Sequence, residues 1–171
     1  TVSENGAQSV TFGGKAIATT VSKGGAQFVR AGGVADLTAI ERGGMLALED
    51  GATVTNINLN SGAALMAGTD TTLNGTNANG SFSIANKIAD SLLLESGGLL
   101  AVAADGSANN TVVSENGTLS VAEGGMLTGV TKVNDGGTLA GNVNNNGELR
   151  ITTENSASTV NAAINGNGTL Y

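Results

Sequence analysis

The sequence has no cysteine, no histidine, no proline and no tryptophan among its 171 residues, and it has only three phenylalanines and one tyrosine. Without cysteine no disulfide can form, and without cysteine and histidine metal and nucleophilic sites lose their commonest residues. The shortage of aromatic rings argues against a thick globular core, because large side chains usually fill such a core. We therefore expect no catalytic residues, no metal site and no cofactor.

Charge is also scarce. Charged residues make up 12% of the chain, the formal net charge is −7, and the seven lysines and arginines are scattered. This predicts no nucleic-acid partner and little attraction to anionic membranes. No apolar run approaches the roughly 20 residues of a membrane span, so we expect no direct membrane insertion. With 40% hydrophobic residues, the chain is too apolar and too weakly charged for a disordered segment.

A repeat of 19 residues runs through the first part of the chain. The turn glycine Gly6 has equivalents at Gly25 and Gly44, and Ala63 follows in the same register. Apolar residues stand four positions before each of these anchors, at Val2, Val21, Ile40 and Leu59. The tetrapeptide Ser-Glu-Asn-Gly at residues 3–6 returns at 114–117, so the repeat continues, with spacings that loosen to about 18.5 residues.

Within each repeat, short apolar–polar alternations are separated by Gly-Gly, Asn-Gly or Asp-Gly, which are strand and turn signals. A constant repeat of this length predicts an all-β fold, a right-handed parallel β-helix (solenoid) of about nine coils of ~19 residues with three short strands per coil. Turn spacings near eight and eleven residues favour the right-handed form. We expect one domain over residues 1–171, with irregular coils around 76–90 and less regular coils over 138–171. Thr76 is predicted to point inward with Phe82 and Ile84, and the irregular stretch is either a modified corner or a bend that re-aims a binding face.

Stacked coils place residues 19 apart above one another, so we expect Arg30 and Glu49 to form a charge pair on one side of the rod. Asparagine and threonine recur near the predicted corners, where they either support turns or form a polar row for an identical neighbour. On the second interpretation the candidate self-association residues are Thr19, Thr38, Asn56, Asn58, Asn60, Arg30 and Glu49. Two other functions stay open: a glycan-binding or polysaccharide-processing β-helix, for which exposed aromatic platforms are scarce, and a passive stalk.

The unit Thr-Val-Ser-x-Gly-Gly-x-x-x-Val-x-x-Gly-Gly-x-Ala at residues 20–35 resembles the AIDA-type repeat in passenger domains of self-associating autotransporter adhesins. The segments at residues 80–84 and 88–92 resemble a recurring unit of antigen 43-like passengers. The resemblance extends to about residue 147 and is specific for the repeat class.

The resemblance implies a secreted β-helix, part of a longer passenger, displayed on the Gram-negative cell surface and tethered to the outer membrane by a separate barrel domain. It implies homotypic association with identical passengers on neighbouring cells, with aggregation and biofilm formation, and contact with a host surface. Some members carry heptoses on repeat serines, which implies a heptosyltransferase partner. The serines here that match are Ser3, Ser22, Ser61, Ser96 and Ser114.

Overall fold

A computed structural model describes all residues 1–171 and contains strands but no helix. Nothing in it is a helix of the length and apolar character needed to cross a membrane. The strands are β1 Ala7–Val10, β2 Lys15–Ile17, β3 Thr20–Val21, β4 Ala26–Val29, β5 Val34–Asp36, β6 Ala39–Ile40, β7 Met45–Leu48, β8 Thr53–Leu59, β9 Ala64–Gly68, β10 Thr72–Asn77, β11 Gly80–Ala85, β12 Ile88–Asp90, β13 Leu93–Leu94, β14 Leu99–Val102, β15 Ser107–Asn109, β16 Val112–Val113, β17 Thr118–Val121, β18 Met126–Thr128, β19 Val130–Val133, β20 Thr138–Asn145, β21 Glu148–Ile151, β22 Thr159–Asn165 and β23 Thr169–Leu170.

The strands stack in parallel from coil to coil, which confirms the predicted β-solenoid of about nine coils. Val2 bridges Val21, Val21 pairs with Ile40, and Ile40 pairs with Leu59, all in parallel. Like residues therefore lie above one another in the order that the repeat predicted. Each coil receives and presents the same hydrogen-bonding edge, so its backbone groups are satisfied by its neighbours.

The coils have three sides, which we call A, B and C. Side A is built from β1, β4, β7, β9, β14 and β17, followed by the first half of β20 and of β22. Side B begins with β2, β5 and the first half of β8, and side C begins with β3, β6 and the end of β8. We number the first four coils as residues 1–19, 20–38, 39–57 and 58–76. After them, side C continues as a separate five-stranded sheet, β13-β16-β19-β21-β23.

The core is a single thin column. Alternate side chains of each strand point inward, and 32 buried apolar residues form one cluster along the rod. Most are valine, leucine and alanine, because the space between three closely spaced sides admits few larger side chains.

A single left-handed residue turns the chain from side B to side C. Ala18, Leu37, Asn56, Ser91 and Asn110 hold φ angles of 55°, 55°, 53°, 58° and 50°. Asparagine adopts this conformation at low cost, which accounts for Asn56 and Asn110 at these corners, whereas an alanine or leucine there is strained.

Around residues 76–90, where the repeat breaks, the structure has an antiparallel meander. Strand β11 pairs antiparallel with β10 and with β12, and β12 then pairs in parallel with β15. On side A, by contrast, β9 stacks directly on β14. Side B thus gains two strands, about 10 Å of height. Phe82 and Ile84 are buried as expected, but the prediction that Thr76 points inward is wrong: it is exposed, because β10 pairs there with the antiparallel β11.

Candidate interaction surfaces

Two of the expected contact residues lie inside the rod. Thr19 and Thr38 are 6% and 1% exposed. Thr38 donates a hydrogen bond to Oε1 of Gln27 at 3.3 Å, and Thr19 donates to Oε1 of Gln8 at 3.2 Å. Gln27 in turn donates to Gln8 at 2.7 Å. Their inclusion in a contact surface was wrong, because the residue before side C points into the coil and these hydroxyls pair with the buried Gln27 and the half-buried Gln8.

Arg30 and Glu49 form the expected ion pair at the corner between sides A and B, and both are about half exposed. The Arg30 guanidinium also lies over the Phe28 ring, 5.5 Å from its centroid. The hydrogen bond from Arg30 lowers the pKa of the Glu49 carboxyl below its ordinary value. Arg30 is therefore held in place by one contact in its own coil and another in the next.

Asn60 lies apart from that pair, at the start of side A, where its side-chain amide donates to Glu41 at 3.0 Å. Asn56 and Asn58 lie at the corner between sides B and C. The expected contact residues therefore do not form one continuous surface.

Asn56 and Asn58 line a polar groove of about 720 Å³ beside the meander. Its other walls are Ile57, Asn74, Gly75, Thr76, Ser81, Phe82, Ser83 and Asp90. Gly75 is required at its floor, since a Cβ there would lie 2.2 Å from the carbonyl oxygen of Ile57. The exposed side chains of Asn58, Thr76 and Ser81 have no hydrogen-bond partner within the chain, so the groove offers free donors and acceptors to a polar ligand.

Side A carries a feature that the sequence analysis missed. Along coils 2 to 4 and β14, the outward positions hold apolar side chains that are mostly half-buried. We call this set the apolar stripe, and it consists of Ala26, Phe28, Met45, Ala47, Ala64, Met66, Leu99 and Ala101. It contains a shallow depression of about 540 Å³ with mainly apolar walls and Glu49 and Asp50 at its rim.

A sequence signal for the stripe was available. A strand with one face in water should alternate apolar and polar residues, as Thr118–Val121 does. Met45–Leu48 and Leu99–Val102 are apolar throughout, which marks strands with apolar residues on both faces. Only every second residue of such a run can point inward, so the others must lie on the outer face.

Lys87 connects the coils below and above the meander. Its ammonium nitrogen lies 2.6 Å from Oδ2 of Asp105 and 3.6 Å from Oδ1 of Asp70. The hydrogen bond between Lys87 and Asp105 raises the pKa of the lysine and lowers the pKa of the aspartate.

No group of three or more acidic, histidine or cysteine side chains in the chain is placed to hold a metal ion.

The five candidate serines fall into two columns. Ser3, Ser22 and Ser114 are the first residues of their turns, and their carbonyl oxygens accept from the glycine three residues later at 2.8, 2.9 and 2.8 Å. Ser61 and Ser96 occupy the second turn position and are exposed, whereas Ser22 and Ser114 are half-buried.

Residues 74–137 match the model of a family described as "Adhesin of bacterial autotransporter system, probable stalk", the AIDA family. The chain is 44% identical over 92 residues, 54% of its length, to the autotransporter adhesin/invasin TibA of Escherichia coli O78:H11. It is 54% identical over 41 residues, 24% of its length, to the probable autotransporter YpjA of Escherichia coli K12. The matched parts are 9% and 3% of those proteins.

Among solved structures, a TibC-catalysed, hyper-glycosylated TibA fragment aligns with 98% of this chain and 74% of its own, at 25% identity and a TM-score of 0.45.

Proposed function

We propose that the chain mediates homotypic self-association on the Gram-negative cell surface. The proposal is supported by the match of residues 74–137 to the AIDA stalk family and by the similarity to the passenger of an autotransporter adhesin. Identical rods on neighbouring cells pair side by side, which leads to aggregation and biofilm formation, and no catalysis is involved.

The observation that carries this proposal is the in-register stacking of the coils. Residues at one strand position form a straight column, as Ala7, Ala26 and Met45 do on side A. A contact made by one coil can therefore be repeated by the next, so weak contacts add along the rod. Arg30 and Glu49 contribute charges at the edge of that side, and Asn56, Asn58 and Asn60 contribute polar groups on the neighbouring sides.

Clustering of beads coated with the chain tests the proposal. Coated beads should cluster with one another and not with beads coated with an unrelated acidic protein. Clustering should weaken as salt rises, to the extent that surface charges contribute, since exposed charges are screened beyond about 8 Å at physiological ionic strength. If coated beads stay dispersed at every salt concentration and coating density, self-association is excluded.

The polar groove supports glycan binding as a second candidate function. Its free amide and hydroxyl groups can hydrogen-bond sugar hydroxyls, but its one aromatic residue, Phe82, is 3% exposed and offers no stacking platform. A glycan array probed with the chain should show ligands that are lost in Asn58→Ala. A chain that neither clusters nor retains any glycan would be left with the role of a passive stalk.

We also propose that the repeat serines are acceptors for a heptosyltransferase, as the hyper-glycosylated state of the TibA fragment suggests. A transferase needs an accessible hydroxyl, so Ser3, Ser61 and Ser96 should be modified more fully than Ser22 and Ser114. Mass spectrometry of the chain from cells that contain such an enzyme would check this. Equal modification of both groups would mean that exposure does not select the acceptor.

A further inference from the structure

We propose that the apolar stripe on side A is the docking surface for a second copy of this chain. The two rods lie antiparallel and face to face, related by a two-fold axis that passes between coils 2 and 3. This inference rests on the proposed self-association and assigns it a surface, since the polar residues expected from the sequence do not form one.

The sizes of the stripe's side chains alternate in a way that complements a rotated copy. In coil 2 the outward residues are small then large, Ala26 and Phe28, and in coil 3 they are large then small, Met45 and Ala47. A two-fold axis between these coils and parallel to the strands sets each residue against its register partner in the other rod. Phe28 then meets Ala47, and Met45 meets Ala26, so large side chains fill the spaces beside small ones.

The depression on side A is the receiving site for Phe28. Ala47, Gly68 and Ala101 are among its walls, and these small residues beside Met66 and Leu99 leave room for a ring. An aromatic ring entering a largely apolar pocket is the usual centre of an interface.

Charges at the corner between sides A and B support the same arrangement. Arg30 follows Phe28 and lies over its ring, while Glu49 and Asp50 stand at the rim of the depression. In the antiparallel pair, Arg30 of each rod therefore approaches Glu49 of the other, twice in every dimer. Opposite charges across an interface fix its register more than they add to its affinity.

A parallel pairing is less favourable. With both rods pointing the same way, the strand-start edge of each coil faces the strand-end edge of the same coil in the partner. Phe28 would then no longer meet Ala47 of the partner, and Arg30 would no longer meet Glu49, so the complementarity of size and charge would be lost.

The size of the stripe indicates how the contact works. With the axis between coils 2 and 3, coils 1 to 4 of one rod face coils 4 to 1 of the other, and four residues of strand by four rows cover roughly 250 Å² per rod. A stable interface usually buries about 800 Å² per partner. A single contact is therefore weak, and the rods should stay monomeric in dilute solution and associate where many are held on one surface.

A charge exchange tests the surface and the orientation together. Beads coated with Arg30→Glu carry acidic residues at both positions of the pair, and beads coated with Glu49→Arg carry basic residues at both. Each variant alone should cluster at least about tenfold less than the wild type, because several repelling contacts act at once. Mixed beads of two colours should cluster again, because each acidic position of one variant then faces a basic position of the other.

A second pair of variants distinguishes blocking of the depression from a general effect of an added positive charge. Ala47→Arg places a long side chain where Phe28 of the second copy would enter, and it should abolish clustering. Thr118→Arg adds the same group in the same outward column, beyond the stripe, and should leave clustering unchanged. Circular dichroism and thermal melting of each variant verify that the solenoid is intact.

The outcomes are distinct. If the wild type clusters and Ala47→Arg clusters equally well, the stripe is not the docking surface, while the proposed function stands. If the single charge variants fail to cluster and their mixture also fails, the antiparallel register is wrong. If the wild type does not cluster, the proposed function and this inference both fall.

Discussion

Coils 1 to 4 and the coils after the meander distribute polarity in opposite ways on side A. Below the meander, the inward positions include the glutamines Gln8 and Gln27, and the outward positions include Phe28. Above it, from β17 onward, the inward positions include Leu119 and Leu139 and the outward positions are threonine, serine and alanine, while β14 between them still carries the end of the stripe. The backbone is the same in both regions, so the fold tolerates either distribution.

The interiors show what each distribution requires. Thr38 in coil 2 pairs its buried hydroxyl with Gln27, whereas the buried hydroxyls of Thr111 and Thr131, at the same position in later coils, have no hydrogen-bond partner. On the outer face above the meander, threonine and serine hydroxyls can hydrogen-bond water. Below the meander, the outward phenylalanine and methionine side chains are apolar and are not stabilised by contact with water. The comparison shows that the solenoid forms whether the outward residues are polar or apolar. An apolar stripe at these positions is therefore not needed for folding, and it points to a partner.

The largest predicted effect tests whether the two regions share one core. Leu46→Ala and Leu119→Ala each remove a fully buried inward leucine of side A, and each should lower the free energy of unfolding by about 2–5 kcal/mol. Urea unfolding followed by circular dichroism would measure both. A loss in one region several times that in the other would mean that the two regions unfold independently.

The next largest effect should differ in sign between the regions. Thr38→Val removes the hydroxyl that satisfies Gln27 and should cost about 1–3 kcal/mol, because a buried acceptor is left unpaired. Thr131→Val removes a hydroxyl that has no partner, so it should be neutral or stabilising by up to about 1 kcal/mol. The same unfolding measurement compares them. Equal losses would show that Thr131 has a partner, such as a buried water.

The stacking could be predicted from the sequence and the surfaces could not. Val2, Val21 and Ile40 recur because each coil must fit the next, so the repeat determined the parallel register. The antiparallel meander was visible only as a break, since glycine and asparagine near residue 80 fit a hairpin turn and a solenoid corner equally well. Thr19 and Thr38 were misplaced because a threonine at a corner points inward or outward according to a single left-handed residue that composition does not identify.

A smaller effect is expected where the two regions meet. Lys87→Ala leaves Asp70 and Asp105 facing each other without the ammonium group between them, so the thermal midpoint should fall slightly. The fall should shrink as salt rises, because the charges are exposed. Lys132→Ala, which removes an exposed lysine of β19 that forms no ion pair, is the matched control. If the two variants melt alike, the ion pairs of Lys87 do not contribute to joining the regions.

The smallest effect is the response to pH, and it should be common to both regions. Hydrogen bonds lower the pKa of Glu49 below the meander and of Asp105 above it. On acidification these two carboxylates bind protons in the unfolded chain before they do so in the folded chain. The stability that they contribute is therefore present above their ordinary pKa values of 4.5 and 3.8, and it is lost as pH falls through the lower pKa values of the folded state. The pKa of Lys87 is raised on folding. The stability that this lysine contributes is therefore present below pH 10.5 and is lost as pH rises through the higher pKa of the folded state. Thermal midpoints should therefore form a plateau between these limits. Arg30→Ala and Lys87→Ala should each make the acid side of that plateau less steep, and a midpoint that rises on acidification below pH 4.5 would contradict the pairing in both regions.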